Sequence, residues 1–219
     1  MSTPLDFESC RQNVTRLADW YHNNAGTRNE STTRLHIIDR LLFDCLGWER
    51  DHVESEESHD GEFADYTLQF PRRLLILEAK REGTYFELPL GHTRSEYSIS
   101  SLLRTIPALR AAMEQVAGYC QKRGVPYAAV SNGHQLVLFI ANRSDGIPPF
   151  NGAAVVFDSL DRMRDDFFDL WNLLSPPAIE QQLLHTRLIG NAGRSFPLSY
   201  PPQSSRIQGL RDGTHFRAA

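Results

Sequence analysis

Residues 61–83 read GEFADYTLQFPRRLLILEAKREG, and the fold turns on how this stretch pairs with itself. The run Arg73-Leu74-Leu75-Ile76-Leu77 shows no polar alternation, the pattern of a strand covered on both faces. It leads into Glu78-Ala79-Lys80, and Asp65 precedes the Pro71-Arg72-Arg73 turn. Two strands, 62–70 and 73–80, folded about Pro71-Arg72 pair residues whose numbers sum to 143, which sets Asp65 opposite Glu78. Opposed residues of an antiparallel pair share a face, with Cβ atoms about 4.5–5.5 Å apart. Lys80, two residues past Glu78, returns to that face. Two carboxylates and an ammonium thus converge at the end of an apolar strand.

Directly opposed like charges weaken a sheet, so something must offset them. A divalent cation is one candidate, since Mg²⁺ takes oxygen ligands, commonly one or two carboxylates plus water and substrate phosphate oxygens. Such an ion polarises a phosphodiester, and a nearby lysine orients or deprotonates the attacking water. The other candidate is Lys80 itself, closing a structural salt-bridge cluster. The pairing alone leaves both open.

Outward from the hairpin, Phe7, Cys10, Val14, Leu17 and Tyr21 recur at three- and four-residue steps and predict an amphipathic helix over 6–22. Asn29 suits the N-cap of a second helix, with Leu35, Ile38, Leu42 and Cys45 as its apolar face and Gly47 as a left-handed stop. The following run, ERDHVESEESHDGE, is too acidic for a core and reads as a strand edge and an exposed turn. Residues 83–103 lack a clear period and form a long loop, a length that is often functional. Pro107 opens a helix that closes before Gly124. Residues 126–142 predict a hairpin turned by Asn132-Gly133 as a type I′ turn. Ala153–Phe157 is a further strand, and Leu160, Met163, Phe167, Leu170, Trp171 and Leu174 mark one last helix. After Ser175 the composition turns to Pro, Ser and Gly, apart from a short helix near 178–188. The expected organisation is a domain over 1–175 and a tail or linker over 176–219.

The chain has 219 residues, 41% hydrophobic and 23% charged, enough for one substantial core in a soluble protein. No apolar run reaches membrane-spanning length, and the start lacks the layout of a signal peptide. Cys10, Cys45 and Cys120 stand singly in apolar stretches, which fits buried thiols in a reducing cytoplasm. The net charge of −4 excludes a stand-alone nucleic-acid binder that relies on overall basic charge.

Asp65, then Glu78-x-Lys80 on an apolar strand, resembles the PD-(D/E)xK nuclease superfamily, with Ala64 in place of the usual Pro. The likeness is closest to the N-terminal nuclease domain of the restriction subunit of type I restriction enzymes. That family carries Glu-x-x-x-Arg on its first core helix, matched by Glu30 and Arg34 ahead of LHIIDRLLFDCLGW. It also carries Gln-x-x-x-Tyr on the helix after the active strand, matched by Gln115 and Tyr119, and a Ser/Thr-Asn-Gly turn, matched by Ser131-Asn132-Gly133. Each has a bland counterpart: Glu30 complements a helix dipole, and Gln115 and Tyr119, at i and i+4, form an ordinary surface pair.

The resemblance implies an α/β restriction-endonuclease-like core, a mixed sheet flanked by helices in the order αβββαβ. It implies Mg²⁺ or Mn²⁺ held by Glu30, Asp65, Glu78 and the carbonyl of Ala79. Lys80 would position the attacking water, with Gln115 and Tyr119 beside it. Arg34, Arg72 and Arg81 would meet the substrate, DNA. A defence role follows from the same likeness, with a partner subunit, oligomer or fused domain supplying target recognition and no membrane. The competing expectation is a nuclease-like fold kept as a silent nucleic-acid-binding or interaction module, which the acidic run 54–60 favours by repelling DNA.

Overall fold

The hairpin forms in the expected register. In the computed structural model, which describes residues 6–24, 26, 28–59, 62–88 and 95–190, strands β2 (Glu62–Gln69) and β3 (Arg73–Ala79) pair Tyr66 with Leu77, Thr67 with Ile76 and Leu68 with Leu75. At the turn the expected pairing is not kept: Gln69 pairs with Arg73, so the turn spans residues 70–72 and Leu74 is the extra residue of a bulge that restores the register. β1 (Val53–His59) pairs antiparallel with β2. β5 (Tyr127–Ser131) lies parallel to β3, and β6 (Leu136–Ile140), β7 (Ala153–Phe157) and the short β4 (Glu96–Ser98) complete a seven-stranded mixed sheet ordered β1-β2-β3-β5-β6-β7-β4.

β3 is central, and its residues 74–79 are all buried. Leu75, Leu77 and Ala79 face a core shared with α1 (Phe7–Asn24) and α2, the helix over residues 30–45. Ile76 faces a second core beneath α3 (Ile99–Thr105) and α4 (Pro107–Arg123). The crossover from β3 to β5 runs through these two helices, as a parallel pair requires. Pro107 takes the first turn of α4 and Gly124, at φ +67°, ends it. The result is an α/β architecture, a mixed sheet flanked by helices in the expected αβββαβ order.

Several local expectations differ from the structure. The acidic run is a full strand, β1, because Glu57 is neutralised by Arg73 and by Arg123. α2 starts as Glu30–Thr33, capped by Asn29, then widens into π-type turns over Arg34–Ile38 and Arg40–Cys45. That widening brings Ile37, Ile38, Leu41, Leu42 and Cys45 inward and leaves Leu35 61% exposed, off the apolar face assigned to it. The 83–103 loop yields β4 and α3, while its residues 89–94 lie outside the described ones.

The β5–β6 connection pairs Ser131 with Leu136, a four-residue loop and not the two-residue Asn132-Gly133 turn. A type I′ turn needs positive φ at both central residues, and only Gly133 has it, at +94°. The Asn132 side chain braces this longer loop: Oδ1 accepts Gln135 N–H, and Nδ2 donates to Gln135 Oε1 and to the Thr84 carbonyl. The last helix is split into α5 (Leu160–Asp165) and α6 (Phe167–Leu174). Within the stretch read as tail, α7 (Pro176–Glu180) and α8 (Leu183–Gly190) place Ile179, Leu184 and Leu188 in the main core. Residues 191–219 lie outside the described ones.

Candidate active site

At the C-terminal end of β3 the chain turns apolar burial into buried charge. Glu78 continues the face of Ile76, and its side chain is only 4% exposed. Lys80 Nζ donates to Glu78 Oε1 at 2.6 Å and to Gln115 Oε1 at 3.2 Å, and Gln115 Nε2 donates to the Tyr119 hydroxyl at 2.9 Å. Glu78, Lys80, Gln115 and Tyr119 thus form one hydrogen-bonded line from β3 to α4. Lys80 N–H continues the parallel ladder to the Ser131 carbonyl at 2.7 Å, which fixes the backbone from which the ammonium reaches back.

Asp65 approaches this line from β2 without bonding to its members. Extending the β2–β3 register by one pair places it opposite Glu78, and its Oδ2 accepts the Ala79 N–H at 2.8 Å. Its Oδ1 accepts from Arg34 Nη1 at 3.3 Å, and Arg34 also binds Glu56 Oε1 at 3.0 Å. Neither Glu56 nor Asp65 enters the β1–β2 pairing, and Glu56 has φ +56°, a left-handed conformation uncommon outside glycine. The strand bends there: Ala64 belongs to the second core, although Tyr66, two residues on, belongs to the first. On a straight strand the two would share a face.

Electrostatics single out Glu78. Burial pushes its carboxyl up to about 7; the nearby Asp65 and Glu30 charges add to the rise, and Lys80 opposes it. Its Oε2 is buried and has no hydrogen-bond partner. An orphaned buried oxygen next to a second carboxylate suits a divalent cation completed by water and substrate oxygens. Among the described residues, however, no three His, Cys, Asp or Glu side chains gather into a ready-made metal cage. Exposed Glu30, at the first turn of α2, acts on Glu78 through its charge.

The other expected residues divide. Arg81 is exposed next to Lys80. Arg34 is at the site, but its guanidinium is engaged by carboxylates. Arg72 sits at the hairpin turn, beside a cleft with Tyr127 and Asn142. At about 3.3 Å per residue, β3 sets it roughly 20 Å from Glu78, so it is not brought to the site.

Sequence reasoning missed Glu82. It is buried, accepts from Arg28 Nη1 at 2.8 Å, from Gly26 N–H at 3.3 Å and from Arg28 N–H at 3.2 Å, and its own N–H donates to Thr33 Oγ1 at 3.1 Å. It ties the end of β3 to the start of α2, so Glu30 and Glu78 are carried on joined segments. No local signal pointed to partners some fifty residues away. Gly133 serves the same junction, since a Cβ there would lie 2.8 Å from Thr33 Cγ2.

No protein-family model matches the chain, and no curated protein matches it. Among solved structures, the type IIG restriction endonuclease BpuSI matches at 10% identity with a TM-score of 0.31. The match covers 83% of this chain and 18% of that one, so this chain spans less than a fifth of its length. Among the described residues no helix is long and apolar enough to cross a membrane. The three cysteines are free and buried.

Proposed function

We propose that this chain is a Mg²⁺- or Mn²⁺-dependent endonuclease of PD-(D/E)xK type that hydrolyses DNA phosphodiester bonds. The observation that carries the reading is the line Glu78–Lys80–Gln115–Tyr119, which ends at a buried carboxylate with one unpartnered oxygen. Lys80 and Gln115, 35 positions apart in sequence, meet there with complementary donor and acceptor. Glu78, with Asp65, Glu30 and the Ala79 carbonyl, would hold a divalent ion whose chemistry is Lewis-acid polarisation of the phosphodiester. Lys80 has three donors, two of them directed at Glu78 and Gln115; the third holds and orients the attacking water. Gln115 keeps the ammonium aimed by accepting from it, and Tyr119 keeps the Gln115 amide from turning over. Arg34 and Arg81 contact the substrate backbone.

The resemblance to restriction subunits extends the proposal to a cytoplasmic effector in prokaryotic defence. Net charge of −4 and few basic groups at the site favour delivery to DNA by a partner subunit, oligomer or fused domain. Incubating the chain with plasmid and linear DNA, with Mg²⁺, Mn²⁺ or chelator, tests this. Cleavage is expected only with metal and is lost in Lys80→Ala; hydrolysis that ignores both overturns the reading.

One observation favours a silent binding module instead. Both Asp65 oxygens already have partners, Arg34 and Ala79 N–H, as they would in a purely structural cluster. That reading requires DNA binding with no cleavage in any metal and no effect of metal on the melting temperature.

A further inference from the structure

The bend at Glu56 and Asp65 opens a cleft of about 320 Å³ between α2 and β1–β2. That is the lower range of small-ligand pockets. Arg34 forms one wall, so the cleft and the candidate active site share a guanidinium. Inside are two guanidinium–aromatic plates, Arg34 over the Tyr66 ring at 5.0 Å and Arg50 over the Phe43 ring at 4.3 Å. The Asp39 carboxylate accepts the Tyr66 hydroxyl at 2.7 Å, and the Glu56 carboxylate also faces the cleft. Ser31 and Ser55 add hydroxyls, and exposed Leu35 lines the cleft with an apolar surface.

Flat cationic and aromatic plates suit a planar π-system. Carboxylate acceptors suit a ring edge that carries N–H donors. Strained backbone at Glu56 is typical of a place where function has fixed the chain.

Resting on the nuclease reading, we propose that this cleft takes an unpaired nucleobase of the substrate strand next to the scissile phosphate, and that Asp39 and Glu56 select amino-bearing bases over thymine. The base stacks on Arg34 or Arg50, and its exocyclic amine donates to Asp39. Arg34, holding Asp65 on its other side, couples base entry to the carboxylate site.

The test is metal-free, so it does not depend on cleavage. The full chain is titrated with dAMP, dCMP, dGMP and dTMP, each to millimolar concentration, and backbone amide shifts are followed by NMR. Saturable shifts confined to residues around Ser31–Asp39 and Arg50–Glu56 are expected, with dAMP, dCMP and dGMP at least about fivefold tighter than dTMP. Ser55 is exposed, so Ser55→Phe fills the cleft from its rim and should abolish these shifts with the melting temperature unchanged. Asp39→Asn, whose amide adds a donor, should narrow or reverse the preference against dTMP. Absent saturable shifts, or shifts indifferent to Ser55→Phe, overturn the pocket; equal affinity for all four nucleotides overturns the selecting role of the carboxylates. A chain that cuts DNA but shows no such shifts refutes this inference alone. A chain that shows them but cuts nothing refutes the nuclease reading and leaves the pocket.

Discussion

Glu78 and Glu82 lie four residues apart at the end of one strand, each with a side chain 4% exposed, yet their environments are opposite. Burial works to raise both carboxyls. At Glu82 the Arg28 guanidinium and two backbone N–H groups outweigh it, and the carboxyl falls below its ordinary value. At Glu78 one ammonium faces burial and the negative charges of Asp65 and Glu30, and the carboxyl rises to about 7. Both are buried acids with a basic partner, so an ion-pair count would equate them. What separates the two is whether both oxygens are met: Glu82 has both bonded, whereas Glu78 Oε2 has no partner.

The comparison can be broken by substitution. The largest effect expected is on chemistry: Lys80→Ala and Glu78→Gln should each lower DNA cleavage by 10²-fold or more, read by plasmid relaxation. Full activity in either would reduce Glu78 to another tie.

Next comes folding. Glu82→Gln leaves Arg28 buried without its counter-charge and should destabilise by about 3 kcal/mol in denaturant unfolding. Glu78→Gln, without metal at pH 8, should be neutral or stabilising, because it removes an under-solvated charge. Equal losses in the two variants would erase the distinction.

A smaller effect separates them by pH. The folded carboxyl of Glu78 lies above its ordinary value of 4.5, so the folded state binds its proton more tightly than the unfolded state. Its contribution to stability is complete below pH 4.5 and is lost as pH rises through 7, costing on the order of 1–3 kcal/mol by pH 8. Glu82, lowered, acts in the other sense, keeping its stability above its ordinary value and losing it as pH falls further. Melting curves from pH 5 to 8 should therefore decline less in Glu78→Gln than in wild type, and millimolar Mg²⁺ should raise the wild-type melting temperature at pH 8 but not that of the variant.

Smallest is the effect of the aiming groups. Gln115→Ala should reduce cleavage roughly tenfold with the fold intact, and Tyr119→Phe less, because they act through Lys80. Unchanged rates in both would make the α4 pair an ordinary helix-face contact.

Much of this arrangement was legible from sequence wherever a local rule fixed it. The hairpin about Pro71-Arg72 predicts the register that brings Asp65 to Glu78, although a bulge beside the turn supplies it, and strand alternation returns Lys80 to the same face. The i, i+4 spacing put Gln115 and Tyr119 on one side of α4; that this side meets Lys80 came only from the likeness. Non-local partners escaped: Arg28 for Glu82, Arg123 for Glu57, and Arg34 for Asp65 are brought together by tertiary packing. Leu35 was misplaced because π-type turns shift the phase of a helix away from 3.6 residues. Asn132-Gly133 differs from a type I′ turn because the Asn side chain bonds Gln135 across a four-residue loop and also ties that loop to the Thr84 carbonyl.

The parallel pairing of β3 with β5 also bears on the order of events at the ribosome. Contacts that are far apart in sequence form late, after the loop between them is closed. The nascent chain presents the β1–β2–β3 meander first, with Asp65 and Glu78 already adjacent. Lys80 is clamped only when Ser131 and Gln115 arrive, some 35 to 51 residues later. A chain made only as far as β3 therefore holds the acids but not the fully aimed ammonium, and the proposed catalytic arrangement is complete only once Ser131 has joined the sheet.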